Sequence, residues 1–516
     1  MMSRLSEMPV EVFLDNLLPF MQIADILRLG RTNKTFAAIC SDDTFWKRRL
    51  ETDFRFPGEN TARTNGWKFI YRGLFNPRVY VWGSFHALDS EGHIHVWGTL
   101  NGESFIMGDG FFASGKPAKT PLKLDMPATM RSLSCGRSHA ASLDTNNRIW
   151  NFVNWGHPFW LSSPLLRDPT SKPAQIECGW MFSCMLTQYG DVFVWWPFSG
   201  QMETHIQSEM NREGAGNTSP RSRNGAIPCV PWELDLAPTR LPSIPALPDL
   251  SNETDSEQPT QLIKLAGLDN LLIGLTNKGH VLAFGSLHDE TSASRGNWQY
   301  LPEFSEMHKV REIFVEHGLE PPHTMQMTHI SANFEHFFAY STGASSIVLK
   351  GDMSLRPKII PGLQNKSVIS VIPGDYHYVA LTMSGKVLTW GVSDKGALGL
   401  GNPALLPPGA PGGYSDDRNF DIPEVKVPTE VRFDHGRASP KDRFCFSIAA
   451  AGWHTGALVI DLEHDDDSDE EDTGRSTAPV VEDRVGQTPS IISPFRIGFA
   501  GRGLRGRGFG RGGFFG

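Results

Sequence analysis

Three histidines, His139, His336 and His377, recur at like places along the chain, and imidazole is the side chain best suited to acid–base or metal chemistry near neutral pH. Such chemistry needs the groups to converge on one point. Equivalent places in successive repeats instead put one ring in each structural unit, so these histidines are expected to make structural hydrogen bonds. Cys40, Cys135, Cys178, Cys184, Cys229 and Cys445 are scattered without a CxxC pair or a metal-ligand spacing, the pattern of reduced packing thiols. No Gly-rich phosphate loop, HExxH, nucleophile elbow or convincing carboxylate pair is present. No catalytic residue, cofactor or metal is expected, and the chemistry that remains is that of binding.

Charge narrows the partners. The chain of 516 residues carries a formal net charge of −9, which argues against a surface that coats nucleic acid. Nine carboxylates lie between Asp461 and Asp472, around Ser468, a composition expected to form a solvated spacer although an acid-directed kinase would find Ser468 attractive. Beyond it, Arg502, Arg505, Arg507 and Arg511 alternate with glycine and with Phe509, Phe514 and Phe515; weak RNA contact is conceivable there, and a flexible end is the expectation. No apolar run reaches the roughly 18–20 residues of a membrane span, and the start lacks a secretory pattern, so cytoplasm or nucleus is expected.

The histidines belong to a two-part repeat. One half has a glycine, a histidine three residues on and a leucine seven residues on, kept in full as Gly136, His139, Leu143 and as Gly374, His377, Leu381. It drifts to Gly179, Phe182, Leu186 and to Asn333, His336, Tyr340, while Gly267 and Gly452 head copies of altered length. A turn residue follows (Gly92, Asn147, Gly190, Gly279, Gly343 or Gly385), then an apolar arm such as the one ending at Trp390-Gly391. Glycine and asparagine supply the positive φ of a tight hairpin. The repeating glycine allows strands to crowd near a common axis, and the tryptophan can fill the wedge between sheets. Arms end at Gly83, Gly98, Gly156, Trp196, Gly285, Gly351 and Gly391; the first lacks a preceding half and the last half, Ile448 to Ile460, lacks a following arm. Joining these two orphans closes a ring without exposed edges. The expected fold is therefore mainly β, a seven-bladed β-propeller.

With Lys395-Gly396-Ala397-Leu398-Gly399-Leu400-Gly401 after Trp390-Gly391, the motif resembles the repeat of the regulator of chromosome condensation family over about residues 79–460. One departure concerns the repeat after Gly83, which begins at Ser84 without its first strand. Two stretches interrupt the pattern: residues 197–262, with Pro238, Pro242, Pro245 and Pro248, and residues 402–430. Both are expected to be long connecting loops without regular structure.

The first fifty residues have a different period. Val10, Phe13, Leu14, Leu17 and Leu18 share one helix face after Pro9; Asp25 can cap a second helix ended by Gly30, Asn33 a third, and Asp42 or Asp43 a fourth with Phe45, Trp46 and Leu50. This segment resembles an F-box, through Met8-Pro9-Val10-Glu11-Val12, Asp25-Ile26-Leu27-Arg28-Leu29 and Phe45-Trp46, with two departures, Met8 in place of the family's leucine and Asn16 where the family usually has an apolar residue. The order F-box then propeller is similar to the fungal SCF-associated factor family. That resemblance implies a Skp-family adaptor and cullin scaffold as partners, with Pro9, Val12, Leu17, Leu18, Ile26 and Leu27 at the adaptor contact, and a target protein held by the propeller for ubiquitination. The alternative, implied by the resemblance to the repeat family, is a guanine nucleotide exchange factor or other propeller-based interaction protein for a small GTPase. The expected boundaries are 1–50 for the F-box, 51–75 for a linker, 76–460 for the propeller and 461–516 for a disordered tail.

Overall fold

The computed structural model describes residues 9–54, 66–73, 78–81, 85–89, 91–98, 118–137, 139–153, 156–213, 226–250, 259–342, 346–393, 396–416, 422–433, 443–452, 454–461 and 496–498. Trp82, Gly83, Trp155, Gly343, Lys395, the acidic run after Asp461 and the Arg/Gly segment lie outside them.

At the N-terminus, α1 (Val10–Asn16), a 3-10 turn (Leu18–Phe20), α2 (Ile23–Leu29), α3 (Lys34–Ile39) and α4 (Asp43–Phe54) pack around Phe13, Leu18, Ile26, Phe36, Trp46 and Leu50. Asn33 accepts the Phe36 N–H at 2.9 Å and Asp42 the Phe45 N–H at 2.9 Å, the caps their sequence positions predict. Asp25 is not a cap: α2 starts two residues earlier, after Gln22, and Asp25 sits in its first turn bonded to Arg28. The expected linker contains α5 (Trp67–Gly73), whose Trp67, Ile70 and Tyr71 are buried in the same core. The Trp67 N–H donates to Asp43 at 2.8 Å and the Tyr71 ring lies tilted against Trp46, centroids 4.9 Å apart. Phe446, Leu458 and Ile460 of the propeller complete this core, so the helices are joined to the sheets by apolar packing.

The strands of the described residues form seven sheets. Sheet I contains β27 (Arg443–Ala451), β28 (His454–Asp461) and β1 (Arg78–Val81). Sheet II contains β2 (Phe85–Leu88), β3 (Ile94–Gly98) and β4 (Ala118–Asp125). Sheet III runs β5 (Met130–Cys135), β6 (Ala140–Asp144), β7 (Ile149–Phe152), β8 (Phe159–Leu161), and sheet IV β9 (Pro173–Cys178), β10 (Ser183–Thr187), β11 (Val192–Trp195). Sheet V is β15 (Leu262–Gly267), β16 (Leu272–Thr276), β17 (Val281–Phe284) and β18 (Trp298–Tyr300). Sheet VI is β19 (His329–Asn333), β20 (His336–Tyr340), β21 (Val348–Asp352) and β22 (Lys358–Ile359); sheet VII is β23 (Val368–Pro373), β24 (His377–Thr382), β25 (Val387–Gly391) and β26 (Val425–Glu430). Neighbouring strands within sheets V, VI and VII are antiparallel, and the first strands β5, β9, β15, β19, β23 and β27 follow one another around the axis of a β-propeller.

The two orphans meet as the repeat count requires. β1 pairs antiparallel with β28, from Arg78 opposite Val459 to Val81 opposite Gly456, so the chain's first arm completes its last half. The predicted turn residues have the backbone they were assigned, with φ of 81° at Gly92, 64° at Asn147, 86° at Gly190, 91° at Gly279 and 80° at Gly385. The crowding glycine has a measurable cause: a Cβ on Gly179 would lie 2.2 Å from the Phe182 ring and 2.6 Å from the Leu268 carbonyl on the next sheet. Tryptophan fills wedges as expected, Trp390 against Phe338 of the preceding sheet at 6.1 Å, and Trp196 donating to the Leu287 carbonyl at 2.8 Å.

The interruptions are not the structureless loops expected. Residues 197–262 contain α6 (Gly200–Glu213), which buries Met202 and Ile206, and three short strands. β12 (Ala226–Pro228) adds in parallel to β4, β13 (Trp232–Leu234) in parallel to β8, and β14 (Thr239–Arg240) antiparallel to β11. The insertion thus turns back over the outer edges of sheets II and III before supplying the fourth strand of sheet IV, covering edges that would otherwise be open. The prolines then run to sheet V, where Trp298 donates to the Pro242 carbonyl at 3.0 Å and His280 meets the Pro248 carbonyl at 2.8 Å. Residues 402–430 likewise supply β26. In the tail, β29 (Arg496–Gly498) is a strand, antiparallel to β2, where only disorder was expected.

Candidate interaction surfaces

The six residues assigned to an adaptor contact divide by burial. Leu18 and Ile26 are 0% exposed and belong to the helical core, so they hold the module together. Pro9 is exposed at the N-cap of α1, Val12 is half-buried, and Leu17 and Leu27 are exposed at 37% and 40%. Two further apolar residues share this surface character: Val10 at 45% and Phe20 at 84% exposure. Val10, Leu14 and Leu17 fall at i, i+4 and i+7, one stripe of α1, while Phe13 points into the core. Phe20 was missed because it lies past the helical period, in the 3-10 turn that Pro19 starts. A Pro-Phe pair just beyond an amphipathic helix was its signal. No helix among the described residues is long and apolar enough to cross a membrane.

The second surface lies where the loops after the inner strands converge at one end of the propeller. Main-chain bonds link successive loops: Arg137 N–H to Trp180 O at 3.2 Å, Trp180 N–H to Leu268 O at 2.9 Å, Asp269 N–H to Phe334 O at 2.7 Å and Asp375 N–H to Gly452 O at 3.0 Å. The side chains there form one continuous patch. The Arg137 guanidinium lies 4.8 Å over the Trp180 ring, Trp180 is 4.3 Å from Phe334, and Phe334 is 6.2 Å from Tyr376. All four are half-buried. Asp375 accepts from Asn333 and from the Gly452 N–H, both at 3.0 Å, and burial raises its carboxyl above the usual range against the pull of those donors and Arg137. Burial also raises Asp269, with His288 and Arg137 opposing. Phe334 has φ of 52°, a left-handed backbone that costs a β-carbon-bearing residue on the order of 1–3 kcal/mol. Aromatic and arginine side chains in a partly desolvated patch are the composition of binding hot spots. Arg137, Trp180 and Phe334 directly follow the repeat's glycine or its Asn333 equivalent and Tyr376 lies two residues after Gly374, positions the motif leaves free, and that freedom was the signal overlooked.

Two of the three histidines make the structural hydrogen bonds their spacing predicts, while the buried His336 Nδ1 has no hydrogen-bond partner among the described residues. His139 Nε2 lies 3.1 Å from the Phe182 carbonyl on sheet IV, and His377 Nε2 lies 2.9 Å from Thr455 Oγ1 on sheet I, each joining one sheet to the next. Burial lowers both imidazoles to about 4, so they are neutral at pH 7. His336 packs edge-on to Tyr378 at 5.4 Å. Asp89, Glu91 and His93 bring oxygen and nitrogen atoms within 4.8 Å of one another. Asp89 takes the N–H groups of Glu91 and His93 at 2.9 and 2.8 Å, and Asp144 takes those of Asn146 and Arg148, both at 2.8 Å, at the equivalent turn of sheet III. A repeated turn accounts for that cluster. Of the six free cysteines, Cys40, Cys178, Cys184 and Cys445 are buried and Cys135 and Cys229 partly so; burial pushes the Cys178 and Cys229 thiols up to about 12.

No family model matches the chain. Over 99 residues it is 40% identical to SCF-associated factor 1 of Saccharomyces cerevisiae, covering 19% of this chain and 14% of that protein. Over 183 residues it is 27% identical to F-box protein pof9 of Schizosaccharomyces pombe, covering 34% of each. The chain thus spans about a third or less of the curated relatives it matches. The resemblance to fungal SCF-associated and F-box proteins is borne out by these relatives. Among solved structures, human WBSCR16 matches with TM-score 0.42 and 15% identity over 74% of this chain and 87% of that one. Yeast RCC1 (Prp20), in a complex with Kap60, matches with TM-score 0.42 and 15% identity over 75% and 90%.

Proposed function

We propose that this protein is the substrate-recognition subunit of a Skp-cullin-F-box ubiquitin ligase. The observation that carries the reading is the apolar surface of Val10, Leu17, Phe20 and Leu27 on a helical module whose other large apolar side chains, among the described residues, are buried or half-buried. Water-exposed leucine and phenylalanine on a small module gain when a partner helix covers them. The names of the two fungal relatives, SCF-associated factor 1 and F-box protein pof9, support a Skp-family adaptor as that partner. The aromatic and arginine patch of Arg137, Trp180, Phe334 and Tyr376 is then the surface for a target protein. The protein acts by proximity, holding target lysines near a ubiquitin-loaded enzyme while other subunits do the covalent chemistry.

Co-purification of the full chain with a Skp-family adaptor tests this. Capture is expected for the wild type and lost in a Leu17→Asp, Phe20→Asp, Leu27→Asp variant that keeps the wild-type melting temperature. Equal capture by the two proteins, or acceleration of nucleotide release from a small GTPase with no adaptor bound, overturns it.

A further inference from the structure

Sheet II is the one sheet whose inner position the sequence around it cannot fill, because β2 starts directly after the first arm. In the other six sheets the strand that begins each unit (β5, β9, β15, β19, β23 or β27) takes that position. In sheet II the position is taken by β29, from the far end of the chain, and β29 lies beside β27 and β5, the inner strands on either side.

The register is that of a genuine repeat. β29 sets Arg496, Ile497 and Gly498 opposite Leu88, Ala87 and His86. Leu88 corresponds to the leucine of the repeat, and the inner-strand residues facing that place elsewhere are Ser132, Gln175, Lys264, His329, Ser370 and Ser447, all polar like Arg496. The next inner-strand residues are Leu133, Ile176, Leu265, Ile330, Val371 and Ile448, all aliphatic like Ile497. A one-residue slip would put the arginine at the aliphatic place, so the tail sequence fits the slot in the register observed and in no neighbouring one. The pairing is short, three residues against five or more in every other sheet. Residues 462–495 can reach any part of the propeller, since an extended chain advances about 3.3 Å per residue.

We propose that the inner edge of β2 is a strand-acceptor site whose ligand is this chain's own C-terminal segment, Arg496–Gly498, which completes the propeller by strand addition in cis. A tethered strand held by so few pairs is an exchangeable one: the tether supplies an effective concentration of the order of millimolar, and removing it leaves an unpaired edge that accepts the same sequence from solution. This inference is independent of adaptor docking.

Cross-linking of the full chain gives the test. Residues directly opposite on antiparallel strands are about 4.5–5.5 Å apart between Cα atoms, within disulfide reach, while successive residues face opposite sides. Under mild oxidation, His86→Cys with Gly498→Cys is expected to form an intramolecular disulfide, seen by peptide mass after proteolysis, and Ala87→Cys with Gly498→Cys is expected to form at least tenfold less. No disulfide in either pair, equal yields in both, or a bond between two chains overturns the assignment. As a second arm, a synthetic peptide of residues 493–501 is expected to bind a chain ending at Asp461 at least tenfold more tightly than the full chain, and to lose binding with Ile497→Asp. Equal affinity for the two chains counts against the site, as does tight binding of the Ile497→Asp peptide.

Discussion

Leu17 and Leu18 are neighbours with opposite duties, and the difference follows from the end of α1. Leu17 is its C-cap and faces out, while Leu18 opens the 3-10 turn and is fully buried. Leu18→Ala is expected to lower stability by about 2–5 kcal/mol through loss of buried surface and the cavity left behind. Leu17→Ala should move stability by less than about 0.5 kcal/mol and act on adaptor capture alone; urea melts read beside pull-down yields check both. Acid acts at the histidines. An imidazole lowered to about 4 in the folded state against 6.5 unfolded binds fewer protons when folded, so stability is full above pH 6.5 and is lost as pH falls from 6.5 towards 4. Each of His139 and His377 contributes on the order of 3 kcal/mol to that loss, from the size of the shift. Sheet IV already carries phenylalanine at the equivalent place, Phe182 over Gly179. His139→Phe should therefore fold, cost about 1 kcal/mol at pH 7 through the lost bond to the Phe182 carbonyl, and melt with a shallower decline between pH 6.5 and 4. A steeper decline would show that the imidazole is not what the acid attacks.

At the scale of elements, period-two arms and hairpin turns were legible because each sheet repeats one local rule: positive φ at the turn, apolar residues on the arm, glycine where a ring or the next sheet comes close. The same rule exposed the orphan halves and so the β1–β28 pairing. What it could not show is pairing that has no local sign. β12 and β13 have three residues each, between prolines and polar residues, and are strands only because β4 and β8 offer an edge; β29 is hidden in a glycine-rich tail for the same reason. The exposed apolar surface proposed for adaptor docking was half legible, since the 3.6-residue period marks apolar residues without saying which side of a thin module they face. Strand addition predicts a localised response. Trp232 in β13 is 3% exposed and stacks on His157 at 4.8 Å. Trp232→Ala should cost about 3–5 kcal/mol and speed amide exchange in β8 and β13 while leaving sheets V to VII protected; uniform acceleration would mean the belt supports the whole ring.

Across the whole molecule, the helical module is fused to the wheel rather than hung from it. Phe446, Leu458 and Ile460 of sheet I share one buried cluster with Trp46, Trp67, Ile70 and Tyr71, and α5 bridges them by lying on β28 and bonding to Asp43. A module of this size has too little core to be stable alone, so the propeller completes it, and in doing so fixes the direction of the exposed Leu17, Phe20 and Leu27 relative to the axial patch. A receptor that works by proximity needs such a fixed geometry. Phe446→Ala lies far in sequence from every exposed residue of the module. It is nevertheless expected to cost about 3–5 kcal/mol, to separate a low-temperature transition of the helices from that of the sheets, and to reduce adaptor capture at temperatures above that first transition. Calorimetry showing one unsplit transition, with capture unchanged through it, would mean the helices hold their fold without the wheel and that the joint serves only to connect them.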